Sequence, residues 1–498
     1  MQLAVEQQSD VVPRPAGRAR SRTGVALVAA TVVVAAAVFW LVHDALLDDS
    51  YITLSYAKRL ALHGEWGLVP GEFANSATSP LNVVLLAAGT TVLRSPVLAL
   101  GVLFVGCAVL SVLALRRAAA DSGLPRWIAP LGTASIVLNP LVLSTVGLEM
   151  TLAGALLAVL LACATGNRPV LLGVVGALLA LTRLDLALFV LVVLAGQPAV
   201  WRSWWKWSLS GLLTVAPWLV FSWYAFGSAI PDTLVIKQVQ KAWGELGFHN
   251  GYEWYVTNMT TATLLAAVPA VVGAVCLVLL CLLRGRGRTV RLWPWALLGF
   301  GGIAHYAAYS AMEVPPYHWY YAPVLIGAVF PVCACIGALA RQPRMLLPAA
   351  VAALALVLPQ SWFALNQGVP WQVAPVSTNW ATAQEYARIG AEVGRTVGDA
   401  TVAGHGEIGA MAYFCECRVM DGFSDRGYIG PELEQRIEEA GPTMAALLRF
   451  NYRHFEPADP EPVDYVLRRE QGPGPDPFWT ITAPLGEQTH LVLEPAQG

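Results

Sequence analysis

The chain has 498 residues, of which 56 % are hydrophobic and 13 % charged, with a mean hydropathy of +0.55. Globular chains carry about 25 % charged residues, so this composition excludes a soluble, disordered or fibrous protein and indicates a polytopic membrane protein. A formal net charge of −2 excludes the basic face of a nucleic-acid binder, and eight cysteines in this length do not make a disulfide scaffold.

Residues 1–23 are polar, carry Arg14, Arg18, Arg20 and Arg22, and read as a cytoplasmic segment. The apolar run 24–46 has the length of a membrane span. It ends in Phe39, Trp40, Leu41, Val42 and His43 rather than a small-residue cleavage site, so an uncleaved anchor is expected. Further apolar runs lie near 95–115, 128–146, 150–165, 169–183, 184–198, 208–226, 261–283, 293–311, 320–340 and 345–365, which predicts eleven spans in 24–365. The run 80–93 is too short to cross and reads as interfacial or re-entrant. With the N-terminus inside, the inner segments hold sixteen Lys and Arg against three acids, and the outer side, counting Asp44, Arg183 and Asp185 at the span ends as outside, holds eleven acids against six bases. That asymmetry is the positive-inside pattern. Trp127, Trp201, Trp204, Trp205, Trp207, Trp293 and Trp295 fall at the inner boundaries, as interfacial belts do.

Eleven spans place residues 366–498 outside. This stretch holds nineteen acids and nine bases and reads as a small extracytoplasmic α/β domain. A helix is expected near 378–397, a β-like stretch near 411–420, a helix near 431–449 and a strand near 463–469. The Pro- and Gly-rich last thirty residues are expected to be irregular. Cys415 and Cys417 lie on the side where disulfides persist. A bridge between cysteines two apart is strained, so bridged and unbridged states both stay open. No internal repeat is visible, which weighs against transporter folds built from duplicated halves.

The loop 47–79 concentrates the chemistry. Asp48 and Asp49 directly follow the first span. Adjacent carboxylates suit a general base beside a group that orients a partner or holds a divalent cation (Mg, Mn or Ca); the alternative is an acidic pair at a wet helix terminus. From Ser50 to Leu62 apolar residues recur at helical spacing, with Lys58, Arg59 and His63 between them, as in an amphipathic helix lying on a bilayer. Gly64, Gly67, Pro70, Gly71 and Glu72 then form a turn-rich stretch, followed by Asn75-Ser76-Ala77-Thr78-Ser79. The constellation suits a lipid whose polar head lies at the membrane surface.

This loop resembles that of the GT-C superfamily of integral membrane glycosyltransferases, and is most similar to the mycobacterial terminal arabinofuranosyltransferases. Four later motifs resemble that group too: Gly147-Leu148-Glu149, Thr182-Arg183-Leu184-Asp185, the stretch from Phe226 through Ile230-Pro231-Asp232-Thr233 to Lys237, and Glu313 to Ala322 around His318. Arg418-Val419-Met420-Asp421 matches a strand of the soluble domain. Leu184 stands where the family has proline, Asp232 where it has asparagine, and the soluble domain is shorter. The resemblance implies transfer of a sugar, with arabinofuranose favoured, from a polyprenyl-phosphate donor to a cell-envelope polysaccharide at the outer face of the plasma membrane. It makes Asp48 or Asp49 the base, with Asp49 slightly preferred. It makes Arg183, Lys237, His318 and Lys58 candidates for the donor phosphate, and Glu72, Glu149, Asp232 and Tyr317 candidates for sugar or acceptor contact. Asp48, Asp49 and Glu72 are the oxygen donors available to a divalent cation. Short basic inner loops without a Gly-rich phosphate cradle argue against a nucleotide-sugar donor. The competing readings are a transporter or flippase for a lipid-linked sugar, and a non-catalytic glycan-binding protein.

Overall fold

The computed structural model describes residues 17–71, 73–233, 236, 243–284, 290–420, 422–423 and 425–496. Each of the eleven apolar runs is helical. Among the described residues, six helices are long and apolar enough to cross a membrane: Gly24–Val42, Pro96–Asp121, Trp204–Ala225, Thr260–Arg284, His318–Leu339 and Pro343–Asn366. Met150–Thr165, Pro169–Thr182 and the run Leu184–Gly196 are shorter apolar helices, as is Pro80–Leu93. The expected run 128–146 is interrupted. Its first helix ends at Val137, and the Asn139 side chain caps a second helix, Pro140–Ser144, by accepting from the backbone N–H groups of Leu141 and Val142. Pro140 explains the break, since it lacks an N–H and keeps the preceding residue out of helical geometry.

The amphipathic segment after the first span is the helix Asp48–His63. Two acids in its first turn complement the positive end of the helix dipole. Gly64 ends it in the left-handed region at φ 73°, where a side chain would be strained.

The C-terminal region folds around a five-stranded sheet in the order β2-β1-β3-β5-β4. The strands are β1 (Thr401–Ala403), β2 (Arg418–Met420), β3 (Tyr465–Gln471), β4 (Thr480–Thr482) and β5 (Gln488–Pro495). β1 pairs in parallel with β2 and β3, whereas β5 runs antiparallel to β3 and β4. The helix Ala383–Val397 lies where one was expected and opens with a capping box between Thr382 and Glu385. Three expectations are corrected. The stretch 411–420 begins as a helix, Gly409–Cys415, before β2. The helix at 431–449 is two, Arg426–Glu439 and Pro442–Asn451, because Gly441-Pro442 ends one and starts the next. The last thirty residues carry the β4–β5 hairpin, with Gly486 in its turn at φ 88°. Cys415 and Cys417 are joined by a disulfide.

One hydrophobic cluster joins the two regions. It runs from Leu54, Tyr56 and Trp66 through Phe226 to Tyr386, Val402, Met411 and Leu491. Tyr51 packs against Tyr413 and Phe414 with ring centroids 5.1 and 5.0 Å away. Gly409 sits at the tightest point: a Cβ there would lie 2.1 Å from the Asp48 carbonyl oxygen and 2.9 Å from the Ile52 nitrogen. Both neighbours are backbone and cannot swing aside. Gly409→Ala is therefore expected to push the C-terminal domain off the helix and cost about 1–3 kcal/mol. Faster proteolysis between 366 and 409, with a lower melting temperature, is the readout.

Candidate active site

A cleft of about 570 Å³ lies where the outer-loop helix, the bundle and the C-terminal domain meet. Asp48, Asp49 and Ser76–Ser79 form one wall, and Glu149 and Arg183 another. Trp243, Trp254, Tyr317 and Trp319 supply an aromatic face. Trp380, Glu407, Arg469 and Glu487 come from the C-terminal domain.

The two aspartates differ in what they do. Asp48 is 5 % exposed, and both its oxygens accept backbone N–H bonds, from Gly409 at 3.1 Å and Ala410 at 2.7 Å. Its carboxylate thus pins the helix Gly409–Cys415 to the start of the helix Asp48–His63. Asp49 is half-buried and lines the cleft. A hard cation takes about six to eight oxygens, the Asp48 oxygens are engaged by the backbone, and no group of three metal-ligating side chains is assembled among the described residues.

Arg183 is the hub of a buried charge network. Its Nε donates to Asp185 at 2.9 Å, Nη1 to Glu149 at 2.9 Å, and Nη2 to the Tyr309 hydroxyl at 2.8 Å. The guanidinium also lies 4.7 Å from the Tyr320 ring centroid. His305 Nε2 stands 2.7 Å from the other Asp185 oxygen. The cleft therefore receives Arg183 and Glu149 together, as partners of each other.

Other expected residues lie elsewhere. Lys58 pairs with Glu416 and sits over the Tyr413 ring, outside the cleft lining. His318 is fully buried, and neither ring nitrogen has a hydrogen-bond partner among the described residues. Its neighbour Tyr317 does line the cleft, stacked on Trp319 at 4.7 Å. Asp232 is buried and does not line the cleft; it accepts from the Ser228 hydroxyl at 2.8 Å, and burial pushes its pKa up to about 7. Asn75 ties that loop to the outer loop by donating to the Ser222 and Ser228 hydroxyls. Lys237, Glu72 and Asp421 lie outside the described residues.

Glu407 was missed from sequence. It accepts from the Trp380 backbone N–H at 3.0 Å and from the Tyr386 hydroxyl. Burial, followed by the Asp48 charge, holds its pKa well above 4.5. His405 faces Tyr386 across 3.2 Å, and burial lowers its pKa to about 4. Glu407 follows β1, in the loop before the helix Gly409–Cys415 and the parallel β2. Ligand sites of α/β sheets gather beyond the carboxyl ends of parallel strands. The signal was present, but strands of three residues are too short to show a period.

The raised Glu407 pKa has a defined sign. The folded chain holds a proton that the unfolded chain releases above pH 4.5, so stability from this group is complete below 4.5 and lost as pH rises through the folded value. Glu407→Gln keeps the acceptor and removes the titration. The variant is expected to melt higher than the wild type at neutral pH, with the gap closing towards pH 4. Melting curves across that range, in one detergent, check it.

The fold and the cleft define a class: a polytopic helical membrane protein carrying a C-terminal α/β domain over an acid-lined cleft. Its structural similarities lie among membrane glycosyltransferases. ArnT from Cupriavidus metallidurans in the apo state matches with a TM-score of 0.55 at 12 % identity, over 95 % of this chain and 98 % of that one. ArnT bound to undecaprenyl phosphate matches with a TM-score of 0.53 at 12 % identity, over 96 % and 98 %. The arabinofuranosyltransferase AftD from Mycobacteria matches with a TM-score of 0.50 at 16 % identity, over 89 % of this chain but 35 % of that one. No family model matches the sequence, and no curated protein matches it.

Proposed function

We propose that the chain is a glycosyltransferase that moves a sugar, arabinofuranose foremost, from a polyprenyl-phosphate donor to a cell-envelope glycan at the outer face of the membrane. The observation that carries this is the different setting of the two adjacent acids. Asp48 is anchored by two backbone N–H groups, while Asp49 lines a cleft floored by membrane helices and walled by aromatic rings. ArnT with undecaprenyl phosphate and the arabinofuranosyltransferase AftD share the fold, which supports the donor class and the sugar.

In this reading Asp49 accepts the proton of an acceptor hydroxyl. The hydroxyl oxygen bonds to the anomeric carbon as the bond from that carbon to the phosphate oxygen breaks. The electron pair leaves with polyprenyl phosphate, and the configuration at the anomeric carbon inverts. Trp243, Trp254, Tyr317 and Trp319 present ring faces to the sugars. Asp48 and Glu407 position the elements that meet at the base.

The test is transfer itself. Purified full-length protein is incubated with synthetic polyprenyl-phosphoryl arabinofuranose or mannose and short arabinan or mannan acceptors, and products are weighed by mass spectrometry. One donor is expected to yield an acceptor one sugar heavier. No product from any donor, together with movement of the lipid across liposomes, would replace this reading with transport.

A further inference from the structure

The cleft is rich in carboxylates. Asp48, Asp49, Glu149 and Glu487 line it beside Glu407, whose burial favours the protonated form, against two described arginines, Arg183 and Arg469. An anionic substrate group entering such a cleft is repelled unless a cation with donors to spare meets it. Arg183 is poorly placed for that, because Asp185, Glu149 and Tyr309 take one N–H from each of its three nitrogens.

Arg469 is arranged differently. Its guanidinium lies 3.5 Å from the Trp380 ring centroid. Stacking uses the flat face of the group and leaves the N–H bonds in its plane directed outward. Among the described residues, its side chain has no ion pair and no hydrogen bond. Its neighbour Arg468 shows the contrast: side chains alternate along a strand, and Arg468 is exposed and pairs with Glu494. Arg469 is half-buried and held from two sides. β3 is fixed by pairing with β5, where Arg469 stands opposite Leu491. Trp380 is fixed by its backbone bond to Glu407. A solvated surface arginine needs neither support.

We propose that Arg469, stacked on Trp380, is the substrate oxyanion site on the C-terminal wall of the cleft, taking a phosphate or carboxylate group through its in-plane N–H bonds. The inference rests on the glycosyl-transfer reading for its choice of substrate. The same chemistry has two sources, the phosphate of the lipid donor or an acidic group carried by the acceptor glycan.

The experiment measures binding, not turnover. Full-length wild type, Arg469→Gln and Arg469→Lys are titrated in detergent with decaprenyl phosphate and with neutral decaprenol. They are also titrated with an arabinan trisaccharide bearing a terminal phosphate monoester and with its uncharged parent. Loss of a charge-assisted contact predicts about 10- to 100-fold weaker binding of one phosphate probe by Arg469→Gln, a smaller loss in Arg469→Lys, and neutral probes unchanged within about twofold. A loss confined to decaprenyl phosphate assigns the site to the donor, and a loss confined to the phosphorylated glycan assigns it to the acceptor. Three results overturn the proposal: unchanged binding of both phosphate probes by a variant that melts like the wild type, equal loss for charged and neutral probes, or no binding of either phosphate probe by the wild type. Arg469-dependent binding in a protein that transfers no sugar would instead refute the glycosyl-transfer reading and leave the oxyanion site standing.

Discussion

Asp49→Asn is expected to lower kcat by about 10²- to 10⁴-fold, the range supplied by a positioned general base, while donor binding and the melting temperature stay near wild type. The side chain keeps its shape and loses only its ability to take a proton. Asp48→Asn is expected to behave differently. Asparagine presents one N–H₂ group to a pair of backbone N–H donors, at Gly409 and Ala410, so one accepted bond becomes a clash of donors. That costs about 1–3 kcal/mol and loosens the C-terminal domain. Its kinetic mark is a joint change of KM and kcat with earlier melting. Loss of kcat alone in Asp48→Asn, with wild-type rates in Asp49→Asn, would exchange the two roles.

Arg183→Met is expected to destabilise the protein by about 3–5 kcal/mol, because it leaves the Glu149 and Asp185 carboxylates buried without their cation. The side chains of Arg183 and Glu149 are 9 % and 3 % exposed, so water cannot take over. Arg183→Lys restores the charge but not a fork that reaches Asp185, Glu149 and Tyr309 at once, and recovers only part of the loss. Adding Glu149→Gln and Asp185→Asn to Arg183→Met removes the stranded charges and is expected to return most of the stability. Thermal unfolding in a fixed detergent measures the three variants beside the wild type. A stable Arg183→Met variant that fails only in donor binding would make Arg183 a phosphate ligand instead of a structural hub.

What could be read from the sequence depended on how local the determinant is. Apolar runs set their helices by their own composition, and each run expected to be a span is helical. The helix after the acid pair was visible in the spacing of Ile52, Leu54, Ala57, Leu60 and Ala61. Asp48 and Asp49 were singled out together, but their different surroundings were invisible. That difference is made by Gly409 and Ala410, 361 and 362 positions away. Arg183 was marked as an ionisable residue in an apolar stretch. Its hydrogen bonds run to Glu149 and Tyr309, 34 and 126 positions away on other helices. Glu407 and Arg469 escaped notice because each follows or lies in a strand of an acidic domain where charge is ordinary. The β4–β5 hairpin was masked by its prolines and glycines, which mark turns rather than disorder. Its alternation of buried Thr489 and Leu491 with less buried neighbours follows the period of a strand.

The most direct measurement is a single-turnover transfer assay that follows lipid and glycan in one sample, with full-length wild type, Asp49→Asn and Asp48→Asn. The wild type is expected to release one polyprenyl phosphate for each sugar gained by the acceptor, with the anomeric configuration inverted, and Asp49→Asn to release none on that timescale. Wild-type turnover by Asp49→Asn, or loss of the lipid-linked sugar without a heavier glycan, would contradict the account.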